Sequence, residues 1–257
     1  MDYLLICAAA LIGSGLTLFS GFGLGTILVP VFALFFPVEI AILLTAIVHF
    51  LNNGFKLLLV GKHVNWQVAL RFGLPAIVFA FWGAYLLEEL TNLPPVCDYQ
   101  LFGHLFTVQW IKLIIGFLLV VFAALELIPA FTRLEVDRKY LPIGGVLSGF
   151  FGGLSGNQGA LRSVFLLRAG LGKESFIATG VIIACLIDTA RLLIYIPPII
   201  QNHEHFDFTL LLAASLSAFA GAFLGNRLLK KITVSTLKTG VACLLIVFGI
   251  LLAVGIV

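Results

Sequence analysis

The chain of 257 residues is 61% hydrophobic and 11% charged, against roughly a quarter charged in an average soluble domain, so it cannot build an ordinary water-facing surface. Its net charge of +3 is modest and spread over many short segments, and gives no argument for nucleic-acid binding. Lipid is the expected solvent, and the fold class expected is all-α and polytopic.

Apolar stretches fall at about 3–36, 38–61, 66–87, 107–130, 141–167, 175–200, 208–226 and 236–257, each at or above the ~18 residues a spanning helix needs. Met1-Asp2-Tyr3 lacks the positive start of a secretory signal, so the first stretch is expected to stay in the mature protein. That stretch is broken by Ser20-Gly21-Phe22-Gly23-Leu24-Gly25-Thr26, a run offering backbone N–H donors and the Thr26 hydroxyl. In the second stretch Thr45, His49, Asn53 and Lys56 recur at spacings of four, four and three and so share one face of an otherwise apolar helix. The fifth stretch carries Gly152-Gly153-Leu154-Ser155-Gly156-Asn157-Gln158-Gly159 and then Arg162, and the sixth carries Asp188 and Arg191. Cys7, Cys185 and Cys243 lie in apolar runs and Cys97 in a loop, without metal or redox spacing, and are expected to be small buried hydrophobes. Trp66, Trp82 and Trp110 read as interfacial belt residues. No cofactor and no metal site is expected.

Asn53-Gly54-Phe55-Lys56-Leu57-Leu58 recurs as Asp188-Thr189-Ala190-Arg191-Leu192-Leu193 at an offset of 135, and the same offset aligns Ser20–Gly25 with Ser155–Ala160. Two homologous membrane repeats are therefore expected, 1–132 and 138–257. Charge decides their orientation, because short loops rich in Lys and Arg stay cytoplasmic. Eight simple crossings would divide the loop-proximal basic residues seven against five. If the first and fifth stretches are instead re-entrant hairpins of two short helices, the division becomes eleven against one, with only Lys112 on the outer side. The hairpin arrangement follows, with both termini extracytoplasmic in the cell membrane. Each half then makes an odd number of crossings, so the repeats are inverted, a recurring transporter design.

Lys56, Arg162 and Arg191 lie at membrane depth, where a charge costs at least about 2.5–3.5 kcal/mol on insertion scales and by default faces a polar cavity or a partner. Arg162 lies one turn inside a helix start, whose free N–H groups and partial positive charge favour an anion; Ser155, Gly156, Asn157 and Gln158 add donors, and Gly23, Gly25 and Thr26 are their counterparts in the first half. A packing reading stays open, in which the glycines permit close helix approach and Arg162 snorkels. Likewise Asp188 and Arg191 either neutralise each other at i,i+3 or line an anion path with Asn53 and Lys56, with Asp188 or His49 carrying a coupled proton.

GFGLGTILVP (Gly21 to Pro30), GGLSGNQGA (Gly152 to Ala160), TAIVHFLNNGFKLL (Thr45 to Leu58) and the overall size resemble the TauE/SafE family of sulfite exporters. The resemblance implies a permease that exports sulfite or a related sulfur oxyanion or organosulfonate. The second segment, SGNQGALRSVF, departs from the family's usual run of glycines, an apolar stretch and a proline, and places Asn157, Gln158 and Arg162 where they would tune the choice of anion. An intramembrane enzyme is disfavoured, since His49 alone of the five histidines lies within the membrane and neither HExxH nor GxSxG occurs. His203-Glu204-His205 reads as a solvated outer loop rather than a metal site. A cation transporter or channel would want carboxylates at depth, where Asp188 stands against three basic residues. The expected partners are a small anion and the bilayer; nothing in the sequence decides homo-oligomerisation.

Overall fold

The computed structural model describes residues 2–20, 23–101, 103–128, 136–201, 207–228 and 234–257. Its helices are α1 (Asp2–Ser20), α2 (Leu24–Ala33), α3 (Val38–Val60), α4 (Trp66–Thr91), α5 (Trp110–Leu127), α6 (Leu141–Ser155), α7 (Gly159–Leu166), α8 (Lys173–Gln201), α9 (Phe208–Leu228) and α10 (Val234–Ala253). At 1.5 Å per residue α3, α4 and α8 reach about 35–44 Å, enough to cross a bilayer core, whereas α2 and α7 reach only about 15 and 12 Å. The first and fifth apolar stretches are thus each two helices, α1 with α2 and α6 with α7, divided at the glycine runs.

Among the described residues, Val38–His63, Trp66–Thr91, Trp110–Leu127, Lys173–Pro197 and Phe208–Gly225 are long and apolar enough to span a membrane. The surface matches: Leu4, Leu58, Phe208 and Leu244 are more than 70% exposed, while Lys56, Asp188 and Arg191 are buried. The chain is an all-α multi-pass membrane protein.

Two features differ from the sequence expectation. The polar segment before α5 contains an antiparallel hairpin, β1 (Cys97–Leu101) and β2 (His104–Val108), paired from Cys97 with Val108 to Leu101 with His104. Thr107 donates to Asp98 at 2.6 Å, Tyr99 stacks on Phe106, and the Tyr99 hydroxyl bonds the Val254 carbonyl at 2.7 Å, tying the hairpin to the end of α10. The cysteines also divide: Cys185 is buried, Cys7 is intermediate, and Cys97 and Cys243 are exposed, Cys243 on the outside of α10. Of the expected polar segments 131–140, 201–207 and 227–235, residues 131–135, 202–206 and 229–233, with Arg133, His203, Glu204, His205, Lys230 and Lys231, lie outside the described residues, as does Gly21-Phe22 of the first glycine run.

Helix pairing is closest where glycine replaces a side chain. A Cβ at Gly145, Gly149 or Gly153 of α6 would lie 2.2 Å from the carbonyl oxygens of Phe72, Ala76 and Ala80, and one at Gly83 of α4 would lie 2.1 Å from that of Phe150. The α4–α6 seam is a small-residue repeat at every fourth position, a recurrent way for membrane helices to bring backbones together. A Cβ at Gly221 of α9 would likewise meet the Leu11 carbonyl of α1 at 2.1 Å, and Gly116 of α5 faces Gly249 of α10. Exchanging α1–α5 for α6–α10 exchanges α1·α9 with α4·α6, exchanges α3·α9 with α4·α8, and leaves α5·α10 and α3·α8 in place.

Candidate functional site

Where α3 meets α8, the polar faces of the two helices form one network around Asp188. Its Oδ1 lies 2.8 Å from Arg191 Nη2 and accepts from Arg191 Nε at 3.0 Å. Its Oδ2 lies 2.6 Å from His49 Nδ1, and Asn53 Nδ2 approaches it at 3.5 Å. A fourth partner residue comes from the second helix break, where Gln158 Nε2 donates to Asp188 Oδ1 at 3.3 Å. Asp188, Arg191 and Gln158 are all fully shielded. Asp188 and Arg191 form the i,i+3 ion pair, one of the two arrangements the sequence left open.

Lys56 and Arg162 are held differently. With its amide oriented to satisfy its neighbours, Asn52 accepts from Lys56 Nζ at 3.1 Å and donates to Ser14 Oγ at 3.0 Å and the Ala218 carbonyl at 3.2 Å. Arg162 Nη1 donates to Gln158 Oε1 at 3.1 Å. Each cation is anchored by a neutral amide, and among the described residues neither has a carboxylate within ion-pair distance.

Both line one cavity of about 140 Å³ with Gly23 and Leu24 at the start of α2, His49 and Asn53 of α3, and Phe176, Ile177 and Gly180 of α8. A water occupies about 30 Å³ of liquid, so this space suits a small oxyanion with a few waters. It runs from buried Lys56 to exposed Lys173 and therefore reaches the surface at the start of α8. Gly23 takes an extended conformation (φ −80°, ψ 140°) as the N-cap of α2, which leaves the first N–H groups of α2 without helical partners.

The remaining sequence-selected residues are distributed around this cavity rather than within it. Ser155 Oγ donates to the Phe151 carbonyl of its own helix at 3.0 Å. Gly156 adopts the left-handed conformation (φ 79°), and a Cβ there would lie 2.8 Å from Arg191 Nη1, so glycine is required both by the turn and by the guanidinium beneath it. Gly25 packs on the Gly156 carbonyl. Thr26 and Asn157 meet in a separate small space beside α5. Arg162 thus shares its cavity with the start of α2. Sequence reasoning missed Asn52 and Ser14; the spacing of four between Asn52 and Lys56 was the available signal.

A bundle of this kind, with five helices long and apolar enough to span a membrane among the described residues and buried polar faces meeting at its centre, defines a multi-pass membrane protein. The chain belongs to the Sulfite exporter TauE/SafE family, whose family model matches residues 5–252. Membership makes it a membrane transporter of the class that carries sulfite and related anions. No curated protein and no solved structure matches the chain.

Proposed function

We propose that the chain exports sulfite or a closely related sulfur oxyanion or organosulfonate, bound between Lys56, Arg162 and the start of α2. The observation that carries this reading is the contrast among the three deep cations. Arg191 is spent on Asp188, whereas Lys56 and Arg162 are held by Asn52 and Gln158 and keep their charge for a ligand. The guanidinium presents a planar fork to two oxygens, the ammonium a point charge, and the helix start adds backbone donors. Two positive charges in one cavity match an anion such as sulfite.

The two halves, 1–132 and 138–257, act as inverted repeats that expose this site alternately to each side of the membrane. The matched helix pairings and the offset of 135 support the duplication, and the basic bias puts both termini outside the cell membrane. On that topology the cavity opens inward, toward the starts of α4 and α8. Its counterparts across the duplication, Ala41, Ile42 and Thr45 of α3, are fully buried where Phe176 and Ile177 of α8 are partly exposed, which fits a carrier closed on the outside. His49 and Asp188, joined at 2.6 Å beside the cavity, are the pair suited to carry a coupled proton.

A thermal-shift panel of sulfite, sulfate, thiosulfate, an organosulfonate and divalent metal cations on purified protein tests the reading. Stabilisation by sulfite or the sulfonate is the expected result. Stabilisation by metal cations alone refutes it.

A further inference from the structure

The polar face of α3 runs on past the cavity. His49, Asn53 and Lys56 line that space, but Thr45, one turn before His49, does not. Thr45 is at 0% exposure, and its hydroxyl has no hydrogen-bond partner among the described residues. Arg191 continues the same path on α8. A guanidinium donates from more than one edge, and Asp188 takes the edge formed by Nε and Nη2. Nη1 has no acceptor among the described residues, although Arg191 is at 0% exposure. Buried donors without acceptors are rare and costly, and call for a ligand.

The two groups flank one point. A Cβ on Gly156 would lie 2.8 Å from Arg191 Nη1, and a Cβ on Gly25 would lie 3.3 Å from the Gly156 carbonyl oxygen and ordinarily close, 3.7 Å, to Thr45 Cγ2. Thr45 and Arg191 thus lie on either side of the contact between α2 and the end of α6. We propose that they form the position at which the transported oxyanion is held when the carrier is open to the outside, a reading that rests on the anion site and the inverted repeats proposed above.

The duplication carries the assignment. At the offset of 135, Arg191 is the counterpart of Lys56 and Thr45 that of Gly180, and both Lys56 and Gly180 line the inward cavity. When inverted halves exchange conformations, α3 takes the place of α8, and Thr45 and Arg191 come to line the outward cavity in their stead. The groups left over are donors, a hydroxyl O–H and a guanidinium N–H, which is what an oxyanion needs. In this structure the position is shut, with Ala41 and Ile42 at 0% exposure one turn before Thr45.

The two positions are unequal. Arg162, the second cation of the inner one, has Ile27 as its counterpart, and Arg191 has Asp188 2.8 Å away. The anion meets two cations inside; outside it meets one that already faces a carboxylate. The outer position therefore holds it more weakly, which suits release on that side.

The experiment measures the half-saturating concentration for radiolabelled sulfite influx into right-side-out and inside-out membrane vesicles from cells expressing the full chain, with vesicles lacking it as background. In wild type the outer constant should exceed the inner one. Thr45→Val keeps the shape and removes only the hydroxyl; Arg191→Lys keeps a charge beside Asp188 and loses the second edge. Each should raise the outer constant about tenfold or more, the loss of one charge-assisted hydrogen bond, and raise it by more than the inner one. Thr45→Val decides alone where the lysine variant does not insert. Wild-type outer constants in the variants, or equal shifts on the two sides, overturn the proposal and leave Thr45 and Arg191 as packing groups. Absence of saturable sulfite flux by wild type in both kinds of vesicle overturns the anion reading as well, so the two failures are told apart.

Discussion

Asp188→Asn is expected to destabilise the protein by about 3–5 kcal/mol, the usual loss when one partner of a buried ion pair is removed and the other stays charged. Both Asp188 and Arg191 are at 0% exposure, so no water reaches the guanidinium to replace the carboxylate. The same change weakens the contacts from His49 at 2.6 Å and Gln158 at 3.3 Å. The double variant Asp188→Asn with Arg191→Gln removes both charges and should recover most of the loss, with a coupling energy near the ~3 kcal/mol upper end for residues in contact. It should fold and insert without restoring transport, since His49 then has no carboxylate beside it. Thermal and denaturant unfolding of the four purified proteins in detergent closes the cycle. The reasoning fails if Asp188→Asn is as stable as wild type, or if the double variant is no better than the single one.

Gly149→Leu drives a side chain into the Ala76 carbonyl at a seam where even a Cβ would lie 2.2 Å away; overpacking of this kind costs about 1–3 kcal/mol or more, and detergent size-exclusion should show aggregation. Gly54→Ala, with nothing within 4 Å of its added Cβ, should elute like wild type. Cysteine-accessibility labelling should find residues 2 and 136 on opposite faces of the membrane; the same face for both would refute the hairpins and the inverted repeat together. Asp207 accepts from the Tyr3 hydroxyl and from the backbone N–H groups of Leu210 and Thr209, which hold its carboxyl below the ordinary 3.8. Because its folded value is depressed, its contribution is full above the unfolded value and is lost as pH falls through the folded one. Melting curves should therefore show an acid-side loss that Asp207→Asn removes; an unchanged acid limb in that variant would contradict the assignment.

The helix breaks were legible because glycine runs interrupt otherwise continuous apolar stretches at equivalent positions. The polar face of α3 was legible because Thr45, His49, Asn53 and Lys56 repeat at helical spacing, and Asp188 with Arg191 because i,i+3 neighbours must meet on any helix. What spacing cannot give is which faces oppose. That His49 pairs with Asp188, 139 positions away, depends on how α3 and α8 cross. For the same reason Arg162 sits with the start of α2 while Asn157 faces Thr26, although both residues flank one break. Gln158 illustrates a third limit, for its residue type fits a ligand donor and only geometry shows its amide occupied by Asp188 and Arg162. The β hairpin at Cys97–Val108 was hidden because it is short and exposed, so no buried face imposes the alternation that marks a strand.

The central claim is that Lys56 and Arg162 hold the transported anion, and isothermal titration of sulfite into purified wild type, Arg162→Ala, Arg162→Lys and Lys56→Ala tests it most directly. One charge-assisted hydrogen bond is worth roughly 1.5–3 kcal/mol, so each alanine variant should bind about 10- to 150-fold more weakly. Arg162→Lys should recover only part of the affinity, since it keeps the charge and loses the fork. Wild-type affinity in an Arg162→Ala protein that is folded and inserted would contradict the account, and Arg162 would then be a packing residue that snorkels beside an unrelated cavity.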